Sequence, residues 1–359
     1  MRNVVKAIAI AVICCMVYGG TTNAAQSDSV YADTEKEQTA EQDEIKINKT
    51  NFTTKKLRKW AKSLDKDQNG KLSLEEGSVV TEFKDEEKIL DESPVVKTYS
   101  ADFFSLLPNL EEVILDGVAV NKLDFSGNPK LKKISLTGCD VLEEINLSKN
   151  SDLTIFDCAI CNFPTLDFSN CTELNDVTIG VHRLQQLIFS NNKKLTRIWC
   201  HGESTGQVRG LSNLPKVKEI HCQDTKMKTM EINNLPSLKD LDLVGGSIKS
   251  LKITNTNNLQ NIDVSICKLR TLDVSTCKKL KTLDCDFNKL TELKVSGLKN
   301  LTMLSCQKNK ITSLDVSGCK KLKKLNCRNN KMKKLVTSKN NMKECLYKAG
   351  NKGIKLVRK

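Results

Sequence analysis

LKTLDCDFNKLTELKVSGLKNLTMLSCQKNKITSLDVSGCKKLKKLNC, residues 280–327, decides the reading of this chain. It holds three copies of L-x-x-L-x-C, at 280–285, 301–306 and 322–327, each 21 residues after the last. A second phrase, as in Leu314-Asp315-Val316-Ser317, stands between the copies.

Outward from Leu280, the first apolar slot falls on Leu259, Leu238, Val217, Leu195, Leu174, Leu153, Leu131 and Leu110. Apolar residues follow at fixed offsets in every unit, so three apolar files run through about a dozen repeats. One unit of this size cannot bury its own apolar row; stacked units bury it against the units above and below. Alternation in x-L-x-C-x makes a short strand with the slots inward. Successive coils then pair as a parallel ladder at about 4.8 Å per coil, giving a rod or arc of about 50–60 Å. The expected fold is a leucine-rich-repeat solenoid of the α/β type, built mainly from short parallel strands.

Asn288, Asn309 and Asn330 share the slot eight residues after the first Leu, and Cys139, Cys161 and Cys267 take it in other units. A buried Asn there can satisfy backbone groups at a turn, with Cys as a small substitute. The second half-unit has a like slot, holding Asn128, Cys171, Asn192, Cys277 and Cys319. The two halves are so alike that both can be strands.

Aromatic residues are 4% of the 359, too few for a large core built on rings. The net charge is +14, and it is uneven: from residue 262 on, Lys and Arg outnumber Asp and Glu 25 to 7. Of 15 cysteines, Cys14 and Cys15 lie in an apolar leader, leaving an odd number. Side chains on neighbouring parallel coils point the same way, a poor start for disulfide geometry, so buried free thiols are expected.

Residues 1–25 have a basic start (Arg2, Lys6), an apolar run from Ala7 to Val17 and small residues before Ala24 and Ala25, the pattern of a cleaved secretory signal peptide. The run is too short to span a membrane comfortably. Residues 26–44 are polar and acidic, a disordered linker. Residues 45–109 form a helical cap and an irregular first coil, 110–342 the repeats, and 343–359 a closing segment.

Within the cap, Phe52, Leu57, Trp60, Ala61 and Leu64 fall on one helical face. DKDQNGKLSLEE follows at 65–76. Asp65, Asp67 and Asn69 occupy loop positions 1, 3 and 5, Gly70 position 6, Lys71 position 7, Ser73 position 9 and Glu76 position 12, which matches an EF-hand loop. Alternate oxygens must converge on one hard cation, Lys71 can offer its backbone carbonyl, and Glu76 can bind with both oxygens. A structural calcium is expected here. EF-hands usually work in pairs and one loop is present, so the segment can equally serve as a cover for the first coil. Phe103, Phe104, Leu106, Leu107 and Pro108 join cap to repeats.

This order of leader, helix, DKDQNGKLSLEE loop and LTSLDVSGCKKLKKLNCRNNKM-type repeats resembles secreted leucine-rich-repeat proteins of gut and oral Firmicutes. The repeats with Cys in a Leu slot resemble internalin-type adhesins that carry a cysteine ladder. The resemblance covers residue 45 to the C-terminus and implies surface binding or adhesion without catalysis. The chain shows no cell-wall sorting motif at Lys359, which departs from wall-anchored relatives.

Three features are candidate sites. Residues 205–216 (TGQVRGLSNLPK) are irregular and expected to bulge beside Trp199, His201 and His221, which point outward while Cys200 and Cys222 point in. An outward Trp beside a loop break is a candidate ligand anchor, against the plainer reading of a Trp lying flat on its neighbours. The opposed directions of thiols and imidazoles exclude a zinc site. Asp242, Asp263 and Asp284 continue the outward file; they can bind a cation or a basic partner, or their repulsion can be relieved by Arg270, Lys281 or other neighbouring cations, which is the plainer expectation. Lys278, Lys279, Lys299, Lys320, Lys321, Lys323 and Lys324 cluster at stacked turns as a basic stripe that suits an anionic glycan, wall polymer or lipid headgroup, or simply a solvated lysine face. No aromatic platform accompanies the stripe, so nucleic acid is not expected.

No nucleophile with a base, Gly-rich phosphate loop or H-E-x-x-H is present. The expectation is a monomeric, exported, non-enzymatic binding protein at the cell surface or outside the cell, whose partner is a protein or an anionic polymer. The alternative is an envelope-associated scaffold held by the basic units.

Overall fold

The computed structural model describes residues 43–86, 97–98, 100–181, 183–202, 205–338, 344–346, 349–351 and 353–358. The leader, the acidic linker up to residue 42 and parts of the closing segment lie outside the described residues.

Thirteen strands form one parallel sheet from Glu82–Glu86 to Glu344–Leu346, one strand per coil. Its registers are those of the repeat: Leu283 pairs with Leu304, and Leu304 with Leu325. One residue past each of these strands, Cys285, Cys306 and Cys327 line up on consecutive coils, each fully buried. The ladder continues through them: the Cys285 and Cys306 amides donate to the Ser305 and Asn326 carbonyls at 2.9 and 2.8 Å. The second half-units are strands too, in four short sheets of two or three strands, such as Ser313–Asp315, Lys334–Thr337 and Lys355–Arg358. Both halves of the unit are therefore strands, and the L-x-x-L-x-C half carries the continuous sheet.

The turn after eleven of the thirteen major strands places a described residue in the left-handed region. The file runs Gly117, Gly138, Ile160, Gly202, Asp224, Gly245, Ile266, Phe287, Lys308, Asn329 and Gly350, with φ between +51° and +130°. The next residue fills the Asn slot. Asn309 donates to the Cys285 carbonyl one coil back at 2.9 Å and accepts from the Leu290 amide at 2.9 Å. Cys267 and Cys319 reach the equivalent carbonyls, Leu243 and Val295, at 3.1 Å. Cys thus replaces Asn as donor, and the twelve described cysteines are free and buried.

The N-terminal end is closed by helix α1, Lys55–Leu64. Thr54 caps it by accepting from the Leu57 amide, and Leu57 and Ala61 face inward. The rings gather here: Trp60 meets Phe83 edge-on at 5.1 Å, and Phe103, Phe104 and Phe125 carry the stack into the coils. Lys56 of α1 pairs with the buried Asp85 of the first strand at 2.6 Å. The cap thus covers the end of the sheet, which starts at Glu82–Glu86, a coil before the first regular repeat.

Residues 205–216 do not bulge. Gln207–Arg209 joins a short sheet through Gln186–Ile188 and keeps its coil in the stack. Gly210, at φ +79°, makes this possible: a Cβ there would lie 1.6 Å from the Phe189 carbonyl oxygen. The glycines that look like loop breakers are what let the backbones close up.

Candidate binding surfaces and metal site

Residues 65–76 run from the end of α1 through strand β1, Lys71–Ser73, into a single helical turn α2, Leu74–Gly77. Glu44–Lys46 pairs antiparallel with β1, Ile45 opposite Leu72, so the strand positions of the loop find a partner within the cap. Lys71 and Glu44 form an ion pair across this pairing.

The side chains of Asp65, Asp67 and Glu76 converge, with one oxygen of each within 4.8 Å of the others. The loop holds them from behind: the Asn69 and Gly70 amides donate to Asp65 at 3.1 and 3.0 Å, and the Lys66 and Ser73 amides to Glu76 at 2.7 and 3.0 Å. Burial pushes the Glu76 carboxyl up, but the hydrogen bonds from Ser73 and Lys66 outweigh it and hold the group below its ordinary range. The oxygens of Asp65 and Asp67 keep a lone pair for a cation, whereas Glu76 Oε2 accepts from both the amide and the hydroxyl of Ser73. Asn69 accepts from the Lys71 amide at 2.7 Å, and Ser73 caps α2 reciprocally with Glu76. The donor set is all oxygen, as a hard divalent ion requires.

On the outer face of the main sheet, Trp199 and His221 are direct cross-strand partners with ring centroids 5.0 Å apart. Arg197 lies over the indole at 5.2 Å and also pairs with Asp176. The ring is half-buried, and its Nε1 atom is shielded with no hydrogen-bond partner. His201 is one strand position further and lies against Gly180, where a Cβ would come within 2.8 Å of its Nε2. Cys200 and Cys222 point into the core. The Trp therefore rests on its neighbours: Trp199 and His221 form an outward pair, and His201 stands two residues along the same strand against Gly180.

Asp242, Asp263 and Asp284 occupy adjacent strands in register. Arg270 and Lys281 do not supply the expected relief: no ion pair joins either of them to these carboxylates among the described residues, and Lys281 reaches the Gln260 amide oxygen at 2.7 Å instead. The neighbouring group that does meet the file is His221, whose Nδ1 lies 3.5 Å from the Asp242 carboxylate. Hydrogen bonds add to this. Gln223 and the Val244 amide donate to Asp242, at 2.6 and 3.1 Å. Asp284 has one backbone donor, Asp286 at 2.9 Å. Burial, then the charges of Asp286 and Asp263, push the Asp284 carboxyl up to about 6.

Several basic residues of the earlier coils pair with acids one coil away, as in Lys133–Glu112 at 2.6 Å and Lys252–Glu231 at 2.7 Å. The stripe residues Lys278, Lys279, Lys299, Lys320, Lys321, Lys323 and Lys324 are all exposed, and no ion pair is found for them among the described residues. Lys279 and Lys321 reach neutral amides instead, Asn258 and Asn300, at 2.6 and 3.0 Å. A second file, Lys268, Lys289, Lys310 and Lys331, stands on the other turn of four consecutive coils. The seven-residue reading passes over it, although its 21-residue spacing in CKL, NKL, NKI and NKM is plain in the sequence.

Among the described residues, no helix is long and apolar enough to cross a membrane. A family model described as Leucine Rich repeats (2 copies) matches residues 299–340. No curated protein matches the chain. The functional domain of InlJ from Listeria monocytogenes, which includes a cysteine ladder, is similar with a TM-score of 0.54 and 20% identity; the match covers 87% of this chain and 63% of that one. The internalin inlF from the same organism is similar with a TM-score of 0.51 and 17% identity, over 86% of this chain and 96% of that one. At these identities the likeness is one of fold. With a repeat model matching inside the stack and the thiols aligned from coil to coil, the chain has the leucine-rich-repeat solenoid fold that these internalins share.

Proposed function

We propose that the chain is an exported, non-enzymatic binding protein that recognises a protein or an anionic glycan or wall polymer through the outer surface of its coils. One observation supports this reading: Lys278, Lys279, Lys299, Lys320, Lys321, Lys323 and Lys324 stand exposed, and no ion pair is found for them among the described residues, whereas several lysines of earlier coils, such as Lys133 and Lys252, pair with acids one coil away. Stacked unpaired cations within a Debye length of one another create a field that draws in a polyanion. The Trp199 and His221 pair, with His201 two residues along the strand, is a second contact point on the same solenoid, suited to an aromatic anchor for a protein ligand. Calcium is the proposed structural cofactor of the cap. Asp65, Asp67 and Glu76 would give carboxylate oxygens, Asn69 an amide oxygen, Lys71 its backbone carbonyl, and Ser73 the position often bridged by water. The ion would neutralise three converging carboxylates and tie α1 to α2.

Chromatography on heparin and on immobilised teichoic acid tests the charge-based reading. The chain should elute well after a neutral repeat protein, and Lys278→Gln, Lys299→Gln, Lys320→Gln together should advance its elution. Elution no later than the neutral control sinks the polyanion reading. The same basic excess also favours an envelope scaffold; retention on the producer's envelope that high salt releases would select it.

A further inference from the structure

The turn that follows each major strand is a different edge from the one that carries Lys278, Lys299 and Lys320. On four consecutive coils it presents Lys268, Lys289, Lys310 and Lys331, all exposed and without an ion pair among the described residues. The backbone holds them in file: the Lys289, Lys310 and Lys331 amides donate to Leu269, Leu290 and Ile311 one coil back at 2.9, 2.8 and 3.0 Å. Like charges therefore repeat at about 4.8 Å. The nearest polar contact is Lys268 to the Ser247 hydroxyl at 3.3 Å.

Two residues before the first two lysines stand Ile266 and Phe287. Both have φ +56°, at a turn position that holds Gly245, Asn329 or Gly350 in nearby coils. A β-branched or aromatic residue is strained there. Burial does not return the strain, because Ile266 is 56% and Phe287 42% exposed. They are neighbours across coils, tied by main-chain bonds from Ile266 to Asp286 and from Phe287 to Gln307 at 2.9 and 3.0 Å. Lys308 of the next coil lies over the Phe287 ring at 4.4 Å. The adjacent carboxylate, Asp286, is buried and turned to Ser305 and Gln307, so it does not neutralise the edge.

We propose that this edge docks on an anionic lipid bilayer, with Ile266 and Phe287 entering the interface and the lysine file seated on the headgroup phosphates. The charge pattern alone would suit a linear polyanion, but that ligand leaves the two apolar side chains in water. A protein partner would be expected to meet a broader apolar patch than a two-residue ridge rimmed by cations. A small apolar ridge beside lysines is how interfacial elements seat themselves, with the lysine stems crossing from the apolar to the polar layer. Two side chains anchor weakly, so binding depends on the charges and is reversible and salt-sensitive.

Vesicle flotation of the chain from Gln26 onward, which keeps every described residue, tests this. Phosphatidylcholine vesicles containing phosphatidylglycerol should carry the chain up at low salt, and pure phosphatidylcholine vesicles should not. The double substitution Ile266→Asn, Phe287→Asn should weaken vesicle binding at least tenfold while leaving heparin elution unchanged. Asn accepts the left-handed turn, so this variant should melt no lower than the parent, which separates lost docking from lost folding. Lys289→Gln and Lys310→Gln should each weaken vesicle binding about fivefold. The proposal is overturned by absence of flotation with anionic vesicles, by equal flotation with neutral ones, or by an Ile266→Asn, Phe287→Asn variant that floats like the parent. Heparin retention without flotation would leave the polyanion reading standing and remove this one; flotation without heparin retention would do the reverse.

Discussion

The side-chain amide of Asn288 donates to the carbonyl of Val264, 24 residues earlier, at 2.8 Å, and its own oxygen accepts from the Leu269 amide at 2.9 Å. One side chain thus closes two backbone groups of a neighbouring coil. Asn309 and Asn330 repeat the arrangement. Asn309→Ala strands the Leu290 amide in the interior and leaves the Cys285 carbonyl with the Asn288 amide at 3.1 Å as its side-chain donor, at about 1–3 kcal/mol. Asn309→Cys keeps a donor to the carbonyl, as Cys267 does for Leu243, and should lose about half as much. Thermal melts of the two variants check this; equal losses would show that the link to the carbonyl contributes nothing.

The cap should respond to calcium. Saturation at about 100 times Kd should add about 2.7 kcal/mol to the transition that includes the cap. The double substitution Asp65→Ala, Glu76→Ala should abolish the gain while leaving the repeats folded. Glu76 sets the pH range. Its carboxyl is held below the ordinary 4.5, so its contribution is fully present above that pH and is lost as pH falls through the lowered folded value. Calorimetry with calcium and with chelator, at pH 7 and at pH 4, measures both effects; identical traces at pH 7 would remove the calcium assignment.

Asp284 should work in the opposite sense. Its folded carboxyl titrates near 6 against an ordinary value of 3.8, so the folded chain holds an extra proton between about pH 4 and pH 6. Stability from this group falls as pH rises through that window. Asp284→Asn keeps the acceptor for the Asp286 amide and removes the charge. After allowance for the solvent the half-buried group still meets, the variant should be about 1–2 kcal/mol more stable at pH 7 and nearly unchanged at pH 4. Urea unfolding at the two pH values checks the sign, and a variant less stable at pH 7 would contradict it.

The repeat was legible because each slot is written about a dozen times. A single deviation such as Val217 does not hide a file that Leu195 and Leu238 continue. What occurs once was harder to read. Glu44–Lys46 carries no strand signal in three residues, and its partner, Lys71–Ser73, is chosen by the fold of the loop. Phe83 lies opposite Val113 in the sheet, but the preceding coil lacks the L-x-x-L spacing that marks the others. Ile266 and Phe287 conceal their left-handed turn because side chains of that type argue against it, whereas Gly117 and Gly138 announce theirs. The Asp242 file was visible, and so was His221 beside it in register, but the amide donors that complete its relief, such as Gln223, leave no charge pattern to read.

The cysteine file offers the sharpest test of coil closure. Cys285, Cys306 and Cys327 stand where Leu243 and Val264 stand in earlier coils, and all are buried. Burial pushes the Cys171 thiol up to about 12 and those of Cys267 and Cys319 up to about 11, and raises Cys285 and Cys306 as well. A nucleophilic thiolate is scarce at these positions; at Cys200 the hydrogen bond from Cys222 lowers the thiol instead, and burial there is what keeps reagent out. None of the twelve described cysteines should react with a thiol reagent in the native chain within minutes, and all should react in denaturant. Sulfur also behaves here as a small apolar group. Cys306→Val should then cost less than about 1.5 kcal/mol, while Cys306→Ser, which puts a hydroxyl into an apolar file, should cost about 1–3 kcal/mol. If Cys306 labels in the native protein as fast as a thiol in a short peptide, the coils around it do not close on one another, and the stacked core on which every outer surface depends is absent at that point.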